Sequence, residues 1–338
     1  MKKIKNFLLC TSLVSVMACS TPTTIDDGRD KELREQALSL FKPLKNDTAA
    51  QGELLAAKIA LGRTLFFDKR ISASGEMGCA QCHQPEFYGT SGTAAPQAGS
   101  ALPHNTPTVL NASLNFANNW YGDQTSIENQ SLASLESKAG LGHSSKANAV
   151  AKIKAIPEYS PLFSAAFPEK TNPVTPKNLA AALGAYQRTL FTPAPFDEYL
   201  DGNDKAISPD AKIGLKRFMD IGCVACHNGI AIGGGGYQKF GIWEDYWSVT
   251  KSEAIDKGRF NLTQDENDLY VFRVASLRNV NKTAPYFHDG SVKALPDAVR
   301  IMGRIQLRKT LSDEDVKYVV AFLNTLTGKV PKSFSPPQ

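Results

Sequence analysis

The sequence predicts a mainly α-helical protein built as two domains with long irregular loops. Three observations lead there. Every strongly periodic stretch repeats its apolar residues at helical spacing, alternating strand patterns of useful length are scarce, and one short cysteine-histidine motif occurs twice.

The chain opens with Lys2, Lys3 and Lys5, an apolar stretch from Phe7 to Met17, and small Ala18 before Cys19. A basic head and a short apolar core make residues 1–18 a signal peptide and not a spanning helix. Val16-Met17-Ala18-Cys19 is similar to the bacterial lipobox, in which cleavage leaves a lipid-bearing cysteine at the new terminus, and Ser20 in place of Asp favours the outer membrane. Acyl chains contribute about 0.8 kcal/mol per buried methylene, so a triacylated Cys19 would hold firmly. Ordinary secretion with cleavage nearby is the alternative. Loss of residues 1–18 removes three lysines and no acid, so the net charge falls from +5 to +2 and no basic surface for nucleic acid survives. The rest of the chain is long enough for two cores.

Leu61-Gly-Arg-Thr-Leu-Phe-Phe-Asp68 precedes one cysteine pair and Gly214-Leu-Lys-Arg-Phe-Met-Asp220 the other, which hints at a duplicated unit. Thr175-Pro176 is a cap followed by proline at the first helical position, and Leu179, Ala182, Leu183, Tyr186 and Leu190 then recur on one face. The stretch Phe191 to Asn203 breaks helical periodicity and reads as an interdomain connection. It divides the mature chain into residues 19–198 and 199–338. Ser208-Pro209 opens another helix, with Ala211, Leu215 and Phe218 on one side, that runs almost into Cys223. Ser312 with Asp315 reads as a capping box before Val316, Val319, Val320 and Leu323, with Gly328 as the stop. The Gly233–Gly236 run is a flexible turn, and no phosphate-binding motif follows it.

Of six cysteines, Cys10 leaves with the signal and Cys19 is the lipid candidate. The other four form Cys79-Ala-Gln-Cys82-His83 and Cys223-Val-Ala-Cys226-His227, both C-x-x-C-H, the attachment signature of c-type haem. Two thiols one helical turn apart add to the vinyl groups of one porphyrin edge, and the adjacent histidine reaches the iron. A shared Cys₄ zinc site is disfavoured by the roughly 140 residues between the pairs and by the histidine behind each. A thioredoxin-like pair lacks its βαβ context.

His83 and His227 are therefore proximal ligands, leaving His104, His143 and His288. Met1 and Met17 leave with the signal, and Met77 and Met219 sit too close to pinned cysteines to reach the opposite face. Met302 remains as the sixth ligand of the second haem, its alternative being a plain core residue. Thioether opposite histidine favours ferrous iron and raises the potential, so the second haem is expected to store the electron. No methionine lies between His83 and Met219, so the first haem has histidine, water or nothing at its sixth position.

Leu65-Phe-Phe-Asp68 with Arg70, Asn105-Thr-Pro-Thr-Val-Leu-Asn111, and Thr283-Ala-Pro-Tyr-Phe-His-Asp-Gly-Ser291 leading to Met302-Gly-Arg-Ile-Gln-Leu307 resemble the bacterial di-haem cytochrome c peroxidases and their MauG-type relatives. The resemblance covers nearly all of the mature chain. It implies two cytochrome-c-like domains, each binding one c-type haem. The N-terminal haem would be peroxidatic, and the C-terminal one would take electrons from a small c-type cytochrome or cupredoxin. It also implies that Trp120 lies between the haems, that Asn105 with the carbonyls of Thr283 and Pro285 binds calcium, and that a homodimer is possible. Neutral oxygen ligands suit that hard cation.

One departure concerns catalysis. The family's glutamate, twenty residues after the tryptophan, is Gly140 here, and the loop position of its releasable histidine is Gln97. Gln130 matches a nearby family glutamine but takes no proton. His143 and Glu136 are the candidate substitutes, since acid–base groups contribute about 10²–10⁴-fold. A surface-loop residue is the plain reading of His143, and His104 is placed near a haem propionate. Three functions follow: reduction of hydrogen peroxide to water, a MauG-like high-valent-haem oxidase acting on a partner protein, and a non-enzymatic electron carrier or redox sensor. Met302 stands where the MauG type has tyrosine.

Overall fold

The computed structural model describes residues 27–45, 52–94, 104–252 and 254–337. The expectations for the signal peptide, Cys19 and Gln97 fall outside these. The first half holds helices α1 (Asp27–Leu40), α2 (Glu53–Phe67), α3 (Cys79–Cys82), α4 (Ile127–Glu136), α5 (Lys146–Lys154), α6 (Tyr159–Ala166) and α7 (Pro176–Gln187). The second holds α8 (Pro195–Leu200), α9 (Pro209–Ile221), α10 (Tyr246–Thr250), α11 (Phe260–Thr263), α12 (Leu295–Leu307) and α13 (Asp313–Asn324). The named strands among the described residues are β1 (Tyr237–Lys239) and β2 (Val271–Arg273), antiparallel, with Gln238 opposite Phe272. The protein is mainly α, as its periodicity indicates.

Three helix starts are capped as the sequence predicts. The Thr175 hydroxyl accepts from Asn178 N, Ser208 from Ala211 N, and Ser312 from Asp315 N, while the Asp315 carboxylate accepts from Ser312 N. Gly328 is not the stop of α13, which already ends at Asn324. It serves close approach instead: a Cβ there would lie 2.3 Å from the Thr192 carbonyl oxygen, and its N–H donates to Asn279 Oδ1.

Two hydrophobic cores organise the chain. The first gathers Leu61, Leu65 and Phe66 of α2 with Leu179, Leu183 and Tyr186 of α7, and Cys79 packs against it. The second gathers Leu215 and Phe218 of α9 with Val319, Phe322 and Leu323 of α13, and Cys223 packs against it. The hinted duplication has a physical basis. Gly62 lets α2 approach α7 and Gly214 lets α9 approach α13: a Cβ at either would sit 2.0 Å from Ala182 O or 1.9 Å from Tyr318 O. Each motif thus follows a helix fixed by a glycine crossing.

The cores are not two contiguous stretches. Ala37 of α1 and Phe41 just after it pack in the second core, Phe41 edge-on to Phe196 at 5.4 Å. The C-terminal tail returns to the first: Phe334 meets Phe66 at 5.8 Å, Arg63 donates to the carbonyls of Ser335 and Pro336, and Tyr186 OH to that of Ser333. The connection 191–203 is likewise ordered and contains α8. Asp197 in α8 accepts from Leu44 N at 2.7 Å, from Ala194 N at 2.8 Å, and from both Arg278 Nη atoms at 2.8 and 2.9 Å.

Candidate functional site

The first motif begins with α3, a single turn that places Cys79 and Cys82 together, and His83 caps it by donating its N–H to Cys79 O. His83 Nδ1 lies 3.0 Å from Gly89 O. A proton on Nδ1 donates there and leaves the Nε2 lone pair for iron. Burial pushes its pKa down, keeping the ring neutral. At the second motif a 3₁₀ turn, Cys223–Ala225, leads into Cys226 and His227. Burial takes His227 down to about 4, against the opposing pull of the Ile232 and Ala275 carbonyls. Those carbonyls make no hydrogen bond of ordinary geometry with Nδ1. The glycine run holds this ring in place: a Cβ on Gly233, at φ +121°, would meet Ala275 O at 2.2 Å and His227 Nδ1 at 3.1 Å.

All four cysteines are free, and burial raises the Cys79 thiol to about 12 and Cys223 to about 11. Cys79 and Cys223 are neutral thiols packed against separate cores, which suits thioether formation at two sites and not one shared thiolate centre. A cavity of about 380 Å³ opens over the second motif, lined by Cys223, Cys226, His227, Phe218, Met302 and Trp120 among others. Met302 reaches it from the middle of α12, whereas Met219 packs against the second core. An apolar cavity with paired cysteines, a neutral histidine and a thioether fits a c-type haem. A second, more open cavity of about 340 Å³ is lined by Ala73, His143, Ser144, Asn148, Ala151 and Lys152.

The loop 104–124 belongs to the first half in sequence and keeps Val109 and Leu110 in the first core, but its segment 119–122 is built into the second half. Arg273 N donates to Trp120 O at 2.9 Å, Arg259 Nη1 to Tyr121 O at 3.0 Å, and Tyr237 OH to Gly122 O at 2.9 Å. Trp120 Nε1 donates to Asn105 O at 2.7 Å, and the Asn105 amide Nδ2 to Pro285 O at 2.5 Å. Asn105 and Pro285 are therefore together. Turning the amide, whose O and N are assigned from the network, would set two neutral oxygens side by side, the ligand type that calcium takes. His288 is buried in the large cavity's wall, stacked on Phe272 at 4.3 Å and 6.3 Å from Trp120, with Nε2 unpartnered among the described residues. Burial pushes it to about 4.

Across 94% of its length this chain is 43% identical to the cytochrome c551 peroxidase of Pseudomonas aeruginosa, of which it covers 91%. It belongs to the di-haem cytochrome c peroxidase family. The family model of that description, di-haem cytochrome c peroxidase, matches residues 56–205. The cytochrome c551 peroxidase of Nitrosomonas europaea is 38% identical over 86% of this chain and 85% of its own. The crystal structure of a MauG-like protein associated with microbial copper homeostasis superposes with a TM-score of 0.72 and 26% identity, covering 88% of this chain and 96% of that one. The protein is a peroxidase-type oxidoreductase, and haem c is its family's cofactor.

Within this peroxidase the four expected catalytic residues are not gathered in one cavity. Trp120 lines the large one and His143 the smaller. Gln130 is half-buried on α4. Glu136 is at the surface, where it accepts from Lys146 N at 3.1 Å and caps α5. His143 is not a surface residue: it is 5% exposed, with Nε2 2.8 Å from Ile71 O. Gly140 has no room for a side chain, since a Cβ would lie 2.4 Å from Ser134 O. His104, expected beside a propionate, pairs with Asp256, Nε2 to Oδ2 at 2.6 Å. The same carboxylate accepts from Tyr121 OH. Asp256 and Tyr121 gave no local sequence signal, while His288 lay in plain view inside the 283–291 motif.

Proposed function

We propose that Cys79, Cys82 and His83 would hold one haem c of this peroxidase, and that Cys223, Cys226, His227 and Met302 would hold a second. Residues 19–198 and 199–338 would form the peroxidatic and electron-transfer domains, apart from the exchanged terminal segments. The observation that carries the reading is the large cavity, where paired cysteines, a neutral histidine and the free methionine converge. Hydrogen peroxide takes up two electrons and two protons to give two waters. The donor would be a small c-type cytochrome or cupredoxin, and the Met302 thioether would favour the reduced form of the group held at the second site. Trp120, in the wall of that cavity, would support transfer between the two sites.

Bound haem supplies an iron that takes electrons singly and delivers them to peroxide. The chain's own residues orient and protonate. The Gly89 carbonyl fixes the His83 ring, and His143, whose Nε2 is occupied by Ile71 O, keeps Nδ1 for a proton. Its burial beside a cavity favours it over Glu136 as the substitute acid–base group, with Gln130 a neutral neighbour. Asn105, Pro285 and Thr283 would hold calcium and brace the loop that carries Trp120. Export to the periplasm through residues 1–18, anchoring at Cys19 in the outer membrane, and a homodimer complete the proposal. No helix among the described residues is long and apolar enough to cross a membrane.

The test adds peroxide to half-reduced protein in the presence of reduced small cytochrome. Donor oxidation above the blank is expected. A first haem that stays low-spin on reduction, with no donor oxidation, would replace this reading by that of an electron carrier. His143→Ala should lower turnover by about 10²-fold, and unchanged turnover would remove its acid–base role.

A further inference from the structure

We propose that Tyr121 is a redox-active residue of this protein, surrendering one electron during peroxide reduction while its phenolic proton passes to Asp256. This rests on the peroxidase reading above. Tyr121 is half-buried, and its hydroxyl donates to both oxygens of the Asp256 carboxylate, at 2.8 and 2.9 Å. The carboxylate is fixed in place by Gly258 N at 2.8 Å, Asn261 Nδ2 at 2.9 Å and His104 Nε2 at 2.6 Å. A phenol stripped of an electron becomes strongly acidic, so it oxidises readily only where a base already accepts its hydrogen bond. That base is present here before the electron leaves.

The electron also has a route. The Tyr121 ring meets His104 edge-on at 4.8 Å and Phe272 at 6.1 Å, and Phe272 stacks on His288 at 4.3 Å. His288 lies 6.3 Å from Trp120, which lines the cavity shared by His227 and Met302. Two other tyrosines show why Tyr121 is singled out. Tyr159 OH donates to Asp68 at 2.9 Å, but that carboxylate is gripped by the permanent charge of Arg70. Tyr246 OH bonds only the backbone of Asp256. Among the described residues no Lys or Arg pairs with Asp256, and its neighbour His104 is a ring that carries no permanent charge.

The step balances. When the donor has delivered one of the two electrons that peroxide needs, Tyr121 gives the other. Its O–H bond breaks, the electron passes along the rings, and the proton goes to Asp256. One later electron from the donor, with the proton returned by Asp256, restores the phenol.

The experiment uses full-length protein with both haems attached, grown with ring-deuterated or ordinary tyrosine. Reduced by one electron, it is mixed with hydrogen peroxide and frozen for electron paramagnetic resonance, and peroxide consumption is followed on the same samples. A radical signal whose hyperfine pattern narrows on deuteration is expected. Tyr121→Phe should abolish it, and Asp256→Asn, which keeps the phenol but removes the base, should lower its yield at least tenfold. Both variants should keep the parent's haem absorption. A tyrosyl signal that persists in Tyr121→Phe, that disappears instead in Tyr159→Phe, or that never forms while peroxide is consumed would overturn the proposal. Failure to consume peroxide at all would overturn the peroxidase reading, and this proposal with it.

Discussion

Arg278→Met should be among the most damaging substitutions outside the cavities. Arg278 and Asp197 are 1% and 3% exposed and joined through two hydrogen bonds, and Arg278 Nε also donates to Ile230 O at 2.6 Å. Methionine fills a similar volume but leaves the Asp197 carboxylate buried with only the Leu44 and Ala194 N–H groups. Removing one partner of a buried pair costs about 3–5 kcal/mol. The two surviving donors place this case near the lower end, about 3 kcal/mol. At about 2–4 °C per kcal/mol, the melting midpoint should fall by roughly 6–12 °C. Urea unfolding followed by circular dichroism would measure this for Arg278→Met, Asp197→Asn and the double variant, which should lose about 1–3 kcal/mol less than the two single losses added. A loss under about 1 kcal/mol for Arg278→Met, or strict additivity in the double variant, would refute the reasoning.

Gly62→Ala and Gly214→Ala should each cost about 1–3 kcal/mol by overpacking a helix crossing, whereas Gly28→Ala, with nothing near its Cβ, should be neutral or slightly stabilising; thermal melts compare them. Met302→Leu should lower the reduction potential of the second haem, read by redox titration, and an unchanged potential would return Met302 to the core. His288 has its folded pKa pushed by burial to about 4, below the unfolded value of about 6.5. The unfolded chain therefore binds the extra proton between those values, and stability should fall by on the order of 3 kcal/mol as pH drops from about 6.5 to 4. Urea unfolding across that range should show a shallower fall in His288→Phe.

Local chemistry was legible in the sequence and long-range pairing was not. Thr175, Ser208 and Ser312 announce their helices because a cap is satisfied within three residues, and the two C-x-x-C-H motifs carry their meaning in their own spacing. Elimination singled out Met302 because so few thioethers compete, and the structure brings it to the cavity over the second motif. The Tyr121–Asp256–His104 array joins positions 135 and 152 residues apart, and no periodicity links them. Within Phe191 to Asn203 the short helix α8 went unread, because prolines and acids also mark loops. Here Asp197 is a buried acceptor whose partners, Leu44 and Arg278, come from distant parts of the chain.

The exchanged termini make the order of synthesis matter. A ribosome delivers α2 and α7 long before Phe334, so the aromatic face of Phe66, Phe67 and Tyr186 has no cover until the last residues appear. The earliest helix must meanwhile wait for α8 and Gly229 before Phe41 and Leu40 find their partners. Neither half can finish alone, and a gene cut between them would yield two open fragments. The chain closes as a single clasp, with its first and last segments as the two hooks.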